Sequence, residues 1–309
     1  MRRVMRACFL VGATRSLVRR PPRRVAVRAR RGVDGSRGLR AAASAASEDR
    51  VESAQNPLIK TFKRCHRKKG RDAEGLVLVE GSRLVADALE TRVVATAVLL
   101  RDGTDFDVSR AGAARVVRAP EHVVKAASAA STPPGVAALV ERPATAMPAE
   151  LDFVLALDAV SDPGNVGALV RTAAAAGADA VLLVGDQCAD AFGPKALRAS
   201  MGAAFRVPIA LADSWTAAAP LLAGLDVLVA DGGAGAVASD DVPSWGRACL
   251  VVGAETGLTA DLTAALGALQ ATRVKIDIEP DVESLNAAVA GSFLLLDARR
   301  RRREDGGVS

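Results

Sequence analysis

Three stretches of this sequence set polar or charged side chains where an apolar run breaks off. The first is Asp162-Pro163-Gly164-Asn165-Val166-Gly167, running on to Arg171 and Thr172. The second is Gly253-Ala254-Glu255-Thr256-Gly257, and the third is Ser284-Leu285-Asn286. Glycine and proline accompany each stretch, and glycine lets a backbone approach a ligand closely. Asparagine, serine, glutamate and arginine at such places can orient a bound group and hold its charge. Each stretch alone has a plainer reading. Ser284 is also a helix cap, Gly253-x-Glu255-x-Gly257 a tight turn, and Arg171 a salt-bridge partner. The two histidines, His66 and His122, both precede these stretches, so Ser-His-Asp hydrolysis finds no support.

The elements that must position these residues follow an α/β pattern. Phe153 to Leu157 is a continuous apolar run, as a strand buried on both faces requires. Asp162-Pro-Gly is a turn, Asn165 caps a helix, and Gly177 ends that helix. Further buried strands are read at 180–184, 207–211, 227–230 and 249–252, with helices between. This predicts an open, largely parallel sheet, in which ligands bind outside the carboxyl ends of the strands. A strand from Val274 to Ile278 then stops at Pro280. The final helix carries Leu285, Val289, Phe293 and Leu296 at spacings of three and four, which predicts one buried stripe.

Upstream, a smaller α/β unit is read over 48–141, followed by a proline-bearing linker at 142–150 and the larger domain at 151–303. Residues 304–309 form a tail. After Asn56-Pro57, a helix start, Lys60, Lys63, Arg64, Arg67, Lys68 and Arg71 fall at offsets of 0, 3, 4, 7, 8 and 11. One helix would put all six on one face. No acid stands between Lys60 and Arg71, so this stripe reads as a footprint for RNA phosphates, against a merely solvated face.

The charge is unevenly placed. The chain of 309 residues carries +6, but thirteen arginines and one acid, Asp34, lie in residues 1–40. The rest of the chain therefore sums to −6. Residues 1–47, rich in Arg, Ala and Ser, have the composition of an organellar transit peptide, chloroplast or alternatively mitochondrial. Four scattered cysteines without a C-x-x-C pair indicate neither a zinc site nor a disulfide framework. No apolar run is long enough for a membrane span.

In this order and spacing, the three stretches resemble the signature motifs of the SpoU (TrmH-like) branch of the SPOUT RNA methyltransferases. Lys195-Ala-Leu-Arg-Ala-Ser200-Met-Gly202-Ala203 is similar to that family's Ser-x-Gly-Ala segment. Ser53 through Gly81 resembles its small RNA-substrate-binding domain. The resemblance implies a Rossmann-like sheet with a C-terminal trefoil knot, preceded by that small α/β domain. It implies S-adenosylmethionine as cofactor, with Gly253, Thr256, Gly257, Ile276 and Leu285 lining its pocket. It places Asn165, Arg171, Glu255, Ser284 and Asn286 at the reacting centre, requires no metal, and implies a homodimer whose sites are completed across the interface. The reaction would be methyl transfer to a ribose 2′-hydroxyl, of ribosomal RNA ahead of transfer RNA. Two departures stand out: Ile276-Asp277-Ile278 where the family has Ile-Pro, and Ala287-Ala288 where it has Val-Ser.

Two rivals remain from the residues. Gly233-Ala-Gly235-Ala-Val-Ala238 matches a dinucleotide fingerprint, but Asp240-Asp-Val-Pro243 follows where a helix must open. A non-catalytic RNA binder is favoured by the basic stripe and by Arg299 to Arg303.

Overall fold

The computed structural model describes residues 49–91, 93–254, 256–279 and 281–304. The arginine-rich segment read as a transit peptide and the end of the tail, 305–309, lie outside the described residues, as do Glu255 and Pro280.

The first sheet is built from β1 (Asp49–Arg50), β2 (Leu76–Glu80), β3 (Ala95–Arg101), β4 (Arg115–Ala119) and β5 (Val136–Glu141), in the order β1-β4-β3-β5-β2. Strand β5 runs antiparallel to β2 and β3, while β1, β3 and β4 run parallel. Four helices accompany it: α1 (Pro57–Arg64), α2 (Lys68–Glu74), α3 (Ser82–Leu89) and α4 (Glu121–Ala127). The Asn56 side chain accepts from the Leu58 N–H at 2.9 Å and Pro57 opens α1, as the sequence predicts.

The single basic helix expected after Asn56 is two helices. Arg67 is extended, at φ −108° and ψ 146°, so the chain turns between Cys65 and Lys68. Gly70 makes the turn possible: a Cβ there would lie 1.9 Å from the Arg64 carbonyl oxygen. The turn buries Phe62 and Cys65 against the sheet.

The second sheet is wholly parallel. It comprises β6 (Phe153–Asp158), β7 (Ala180–Val184), β8 (Ile209–Ala212), β9 (Asp226–Ala230), β10 (Val237–Ala238), β11 (Ala248–Gly253) and β12 (Thr272–Lys275), in the order β10-β12-β9-β11-β6-β7-β8. Its helices are α5 (Pro163–Ala176), α6 (Pro194–Ser200), α7 (Trp215–Ala218), α8 (Ala260–Ala265) and α9 (Ala287–Glu304). The central strands β6, β7 and β11 are buried along their whole length. One hydrophobic cluster runs from Val77, Val79 and Leu84 beneath the first sheet to Phe192, Leu197 and Leu250 of the second. The two sheets thus share a core.

The C-terminal helix departs from expectation. Val289, Phe293 and Leu296 are 56%, 49% and 50% exposed. The buried face is Ala287, Ala288, Gly291, Leu294, Leu295 and Ala298. Its small residues let α9 approach closely, for a Cβ on Gly291 would meet Leu169 at 2.5 Å and Val252 at 2.9 Å. Close approach, rather than bulk, selects the inward face. Among the described residues, no helix is long and apolar enough to cross a membrane.

Candidate active site

Asp162, not Asn165, caps α5. Its Oδ1 accepts from the Gly164 N–H at 2.7 Å and the Asn165 N–H at 3.0 Å, and Pro163 occupies the first turn. Lys195 Nζ lies 2.7 Å from the other carboxylate oxygen. Lys195, followed by those N–H groups, holds the Asp162 carboxyl below the usual carboxylate range. Asn165 therefore sits inside the first turn of the helix, where its side chain faces the loops.

The second loop leaves β11. Gly257, at φ 98°, donates its N–H to the Ala254 carbonyl at 3.0 Å, which folds the segment tightly. A buried carboxylate at the end of β6 holds this loop. Asp158 Oδ2 accepts from the Thr259 N–H at 2.8 Å. Its Oδ1 accepts from Thr259 Oγ1 and from Trp215 Nε1, each at 2.8 Å. The Thr259 hydroxyl in turn caps α8. Sequence reasoning misses Asp158; the available signal is a charge closing the apolar run 153–157.

The third loop returns from β12, which ends at Lys275 rather than at Ile278. Asn286, not Ser284, caps the helix, accepting from the Ala288 and Val289 N–H groups at 3.0 and 3.3 Å. Asn286 Nδ2 also reaches Asn165 Oδ1 at 3.4 Å. The first and third loops therefore touch.

Two adjoining cavities lie at these loops. One, of about 250 Å³, is lined by Gly253, Leu258, Ile276, Ser284, Leu285 and Leu294, among others. The other, of about 400 Å³, is lined by Asn165, Thr256 and Gln187 with the loop after β6. Ala254, Gly257, Leu258 and Ala287 border both. The structure thus gathers Asn165, Gly253, Thr256, Gly257, Ile276, Ser284, Leu285 and Asn286. Arg171 lines neither cavity; it lies exposed on α5. Glu255 lies outside the described residues.

The basic stripe forms a separate groove. Lys60, Lys63, Arg64, Arg67 and Lys69 border a cleft between α1 and α2, with Lys68 exposed nearby. Arg71 must be removed from the set of phosphate-facing cations: it is 3% exposed and paired with Asp190. Arg64 is partly neutralised by Glu74. Of the C-terminal arginines, Arg300, Arg301 and Arg302 are engaged. Arg301 pairs with Asp297 and Asp240, and Arg302 lies over the Phe153 ring at 5.0 Å.

An open parallel sheet with cavities at the carboxyl ends of β6, β11 and β12 has the arrangement in which α/β proteins of this class bind their ligands. Residues 152–296 match the model of the SpoU rRNA methylase family, and residues 56–138 match an MRM3-like substrate binding domain. The chain is 32% identical over 256 residues to the 23S rRNA (guanosine(2553)-2′-O)-methyltransferase RlmP of Bacillus subtilis, covering 81% of this chain and 98% of that protein. It is 30% identical to the mitochondrial rRNA methyltransferase 3A of Danio rerio, over 82% of this chain and 70% of that one. The crystal structure of an AdoMet-bound rRNA methyltransferase from Sinorhizobium meliloti superposes with a TM-score of 0.71 at 30% identity, covering 82% and 97% of the two chains. The chain belongs to the SpoU family of RNA methylases.

Proposed function

We propose that this chain transfers a methyl group from S-adenosylmethionine to a ribose 2′-hydroxyl of an organellar ribosomal RNA, acting as a homodimer. The observation that carries the reading is the meeting of the three loops around two adjoining cavities. The smaller cavity fits the cofactor's character. Val252, Leu258, Ile276, Leu285 and Leu294 give it apolar walls for a flat base, and loop backbone supplies polar groups. At Gly253 even a Cβ would crowd Leu258, at 3.2 Å. When bound, the cofactor supplies an electrophilic methyl group. The larger cavity would then receive the ribose, with Asn165 and Asn286 orienting its hydroxyl. The trefoil knot belongs to the same reading; it is supported by the return of Ile276, Ser284, Leu285 and Ala287 to Gly253, Ala254, Gly257 and Leu258, with which they share one cavity.

Arg171 enters this scheme through a partner. Guanidinium groups donate and do not accept, so Arg171 suits a phosphate or a nascent alkoxide better than it suits taking a proton. Its position outside its own cavities, with the exposed apolar stripe Val289, Phe293 and Leu296 on the neighbouring α9, favours a second copy packing there. Thr172 Oγ1 and Ser292 Oγ, 2.9 Å apart, hold α5 and α9 together on this side.

Ribosomal rather than transfer RNA is favoured by the names of the relatives and by the MRM3-like match over the basic groove. The chloroplast is read from the composition of residues 1–47. Relatives from Danio rerio and Mus musculus are named mitochondrial, while another, 29% identical, comes from Synechocystis. A fluorescent fusion of the full chain decides between the organelles. The activity is tested with labelled cofactor on organellar rRNA and tRNA, with mapping of 2′-O-methyl positions. Incorporation into tRNA alone would move the substrate. Binding of RNA with no heat on titration with S-adenosylmethionine would make the chain a non-catalytic binder.

A further inference from the structure

Arg71 and Asp190 form a buried ion pair between α2 and the loop that leads from β7 to α6. Their side chains are 4% and 10% exposed. Arg71 Nη2 and Nε donate to Asp190 Oδ2 at 2.6 and 3.1 Å. The remaining nitrogen, Nη1, donates to the carbonyls of Cys65 and His66 at 2.9 and 3.0 Å. Those carbonyls are the turn that closes α1, where a positive charge is favourable. One guanidinium therefore ties both helices of the basic groove to the larger domain.

Asp190 has further holds on its own side. Its Oδ1 accepts from the Phe192 N–H at 2.9 Å, and Arg142 reaches toward it while lying over the Phe192 ring. Next in the chain, Ala189 donates its N–H to the Val160 carbonyl at 2.9 Å. Val160 and Gln187 line the larger cavity beside Asn165. A continuous path of short polar contacts and chain thus runs from the turn of the groove to the edge of the reacting centre.

We infer that Arg71 is a positioning residue: through Asp190 it fixes the basic groove at one distance and orientation from the larger cavity, so that RNA held in the groove presents one nucleotide to the site. The inference rests on the proposed RNA methylation. A buried, fully hydrogen-bonded pair gives a defined geometry where two exposed side chains would not. Ile59, Phe62 and Cys65 seat α1 and the turn after it on the first sheet, and the Arg71–Asp190 pair links that turn and α2 to the loop before α6. Misplacement of a substrate by about 1 Å can cost about a hundredfold in rate, so a rigid tie acts on selectivity as well as affinity.

The test compares the wild type with Asp190→Asn, which keeps an acceptor but removes the charge. Both are given a long rRNA fragment and a short oligonucleotide spanning only the mapped target. A wild type that methylates neither refutes the proposed function itself. Given an active wild type, the expected result is a fall in kcat/KM of at least about tenfold on the long fragment, with the short oligonucleotide unaffected and cofactor affinity unchanged. The variant should also methylate neighbouring nucleotides of the long fragment. Equal losses on both RNAs, or no loss on either, would overturn the inference. A second arm uses the wild type alone. Two base pairs inserted between the groove's footprint on the RNA and the target should leave binding intact and abolish methylation at that target. Unchanged methylation there overturns the inference whether or not the variant folds.

Discussion

Asn286 Nδ2 lies 3.4 Å from Asn165 Oδ1, a contact that joins residues 121 positions apart and closes the first loop against the third. Asn286 serves two ends at once, because its Oδ1 also caps α9. The two roles separate by substitution. Asn286→Asp keeps the capping acceptor and removes the amide donor, so it should melt like wild type while methyl incorporation falls about a hundredfold. Asn286→Ala should show the same fall in activity and in addition be about 1 kcal/mol less stable. Asn165→Ala should match Asn286→Asp. Wild-type turnover in all three, with folding confirmed by thermal melts, would remove both residues from the reacting centre.

Arg171 tests the dimer. If it serves the partner's cavity, a mixture of Arg171→Ala and Asn165→Ala subunits contains mixed dimers with one intact site. Re-mixing the two inactive proteins should restore about a quarter of wild-type activity, as a two-fold interface with random pairing requires. Phe293→Glu should give monomers in sedimentation with little activity, since it places charge on the exposed apolar stripe. Activity from a stable monomer would return Arg171 to a role within its own subunit.

The thiols give a test of packing by chemistry. Burial pushes the Cys249 thiol up to about 12 and the Cys65 thiol up to about 11. The thiolate is the reactive form. At about pH 8, where an ordinary cysteine thiol is partly ionised, neither Cys65 nor Cys249 should react with iodoacetamide in the native protein, and both should react in denaturant. Peptide mapping after alkylation checks this. Modification of Cys249 in the folded protein would contradict the burial of the central strand β11.

The strands are legible because parallel strands buried on both faces read as unbroken apolar runs; 180–184 emerges as β7 without change. Loop chemistry is legible as polar residues at the ends of such runs, which puts Asn165, Gly253 and Ser284 at the cavities. The choice of face on helices is not. Periodicity locates α9 but not its inward side, because Gly291 and the alanines around it win by close approach to α5 and β11. The same physics splits the basic helix: Gly70 against Arg64 is a contact between backbones that side-chain spacing does not encode. Asp158 shows in the sequence just as a charge closing an apolar run; its role comes from its partners, Trp215 and Thr259, which stand 57 and 101 residues away.

Those glycines carry a prediction of their own. A methyl group on Gly291 would press on Leu169 and on Val252, which lines the smaller cavity. Gly291→Ala should cost about 1–3 kcal/mol and weaken binding of S-adenosylmethionine more than it weakens binding of RNA. Gly70→Ala should cost more, because the added Cβ would meet the Arg64 carbonyl oxygen at 1.9 Å, and act the other way, loosening RNA binding and leaving the cofactor untouched, since it sits at the groove. Chemical denaturation paired with calorimetry on both ligands would show the crossed pattern. Equal effects on both ligands would mean that the two regions fail as one unit.

The groove itself is tested by salt. Lys60, Lys63 and Arg67 border the cleft, exposed to solvent, whereas Arg64 is held by Glu74 and Thr61, and Arg71 is buried. Removing one cation from an RNA phosphate should flatten the plot of log affinity against log salt by about 0.9 for duplex and about 0.7 for single-stranded segments. Reversing the charge of Lys60, Lys63 and Arg67 together should therefore lower the slope by about two to three, while reversing Arg64 should change it less, because its charge is already shared. Binding should weaken uniformly across RNA sequences, since phosphate contacts carry no base information. If the triple variant keeps the wild-type slope, the lysines and Arg67 are a solvated face, and the RNA must approach the reacting centre along another surface.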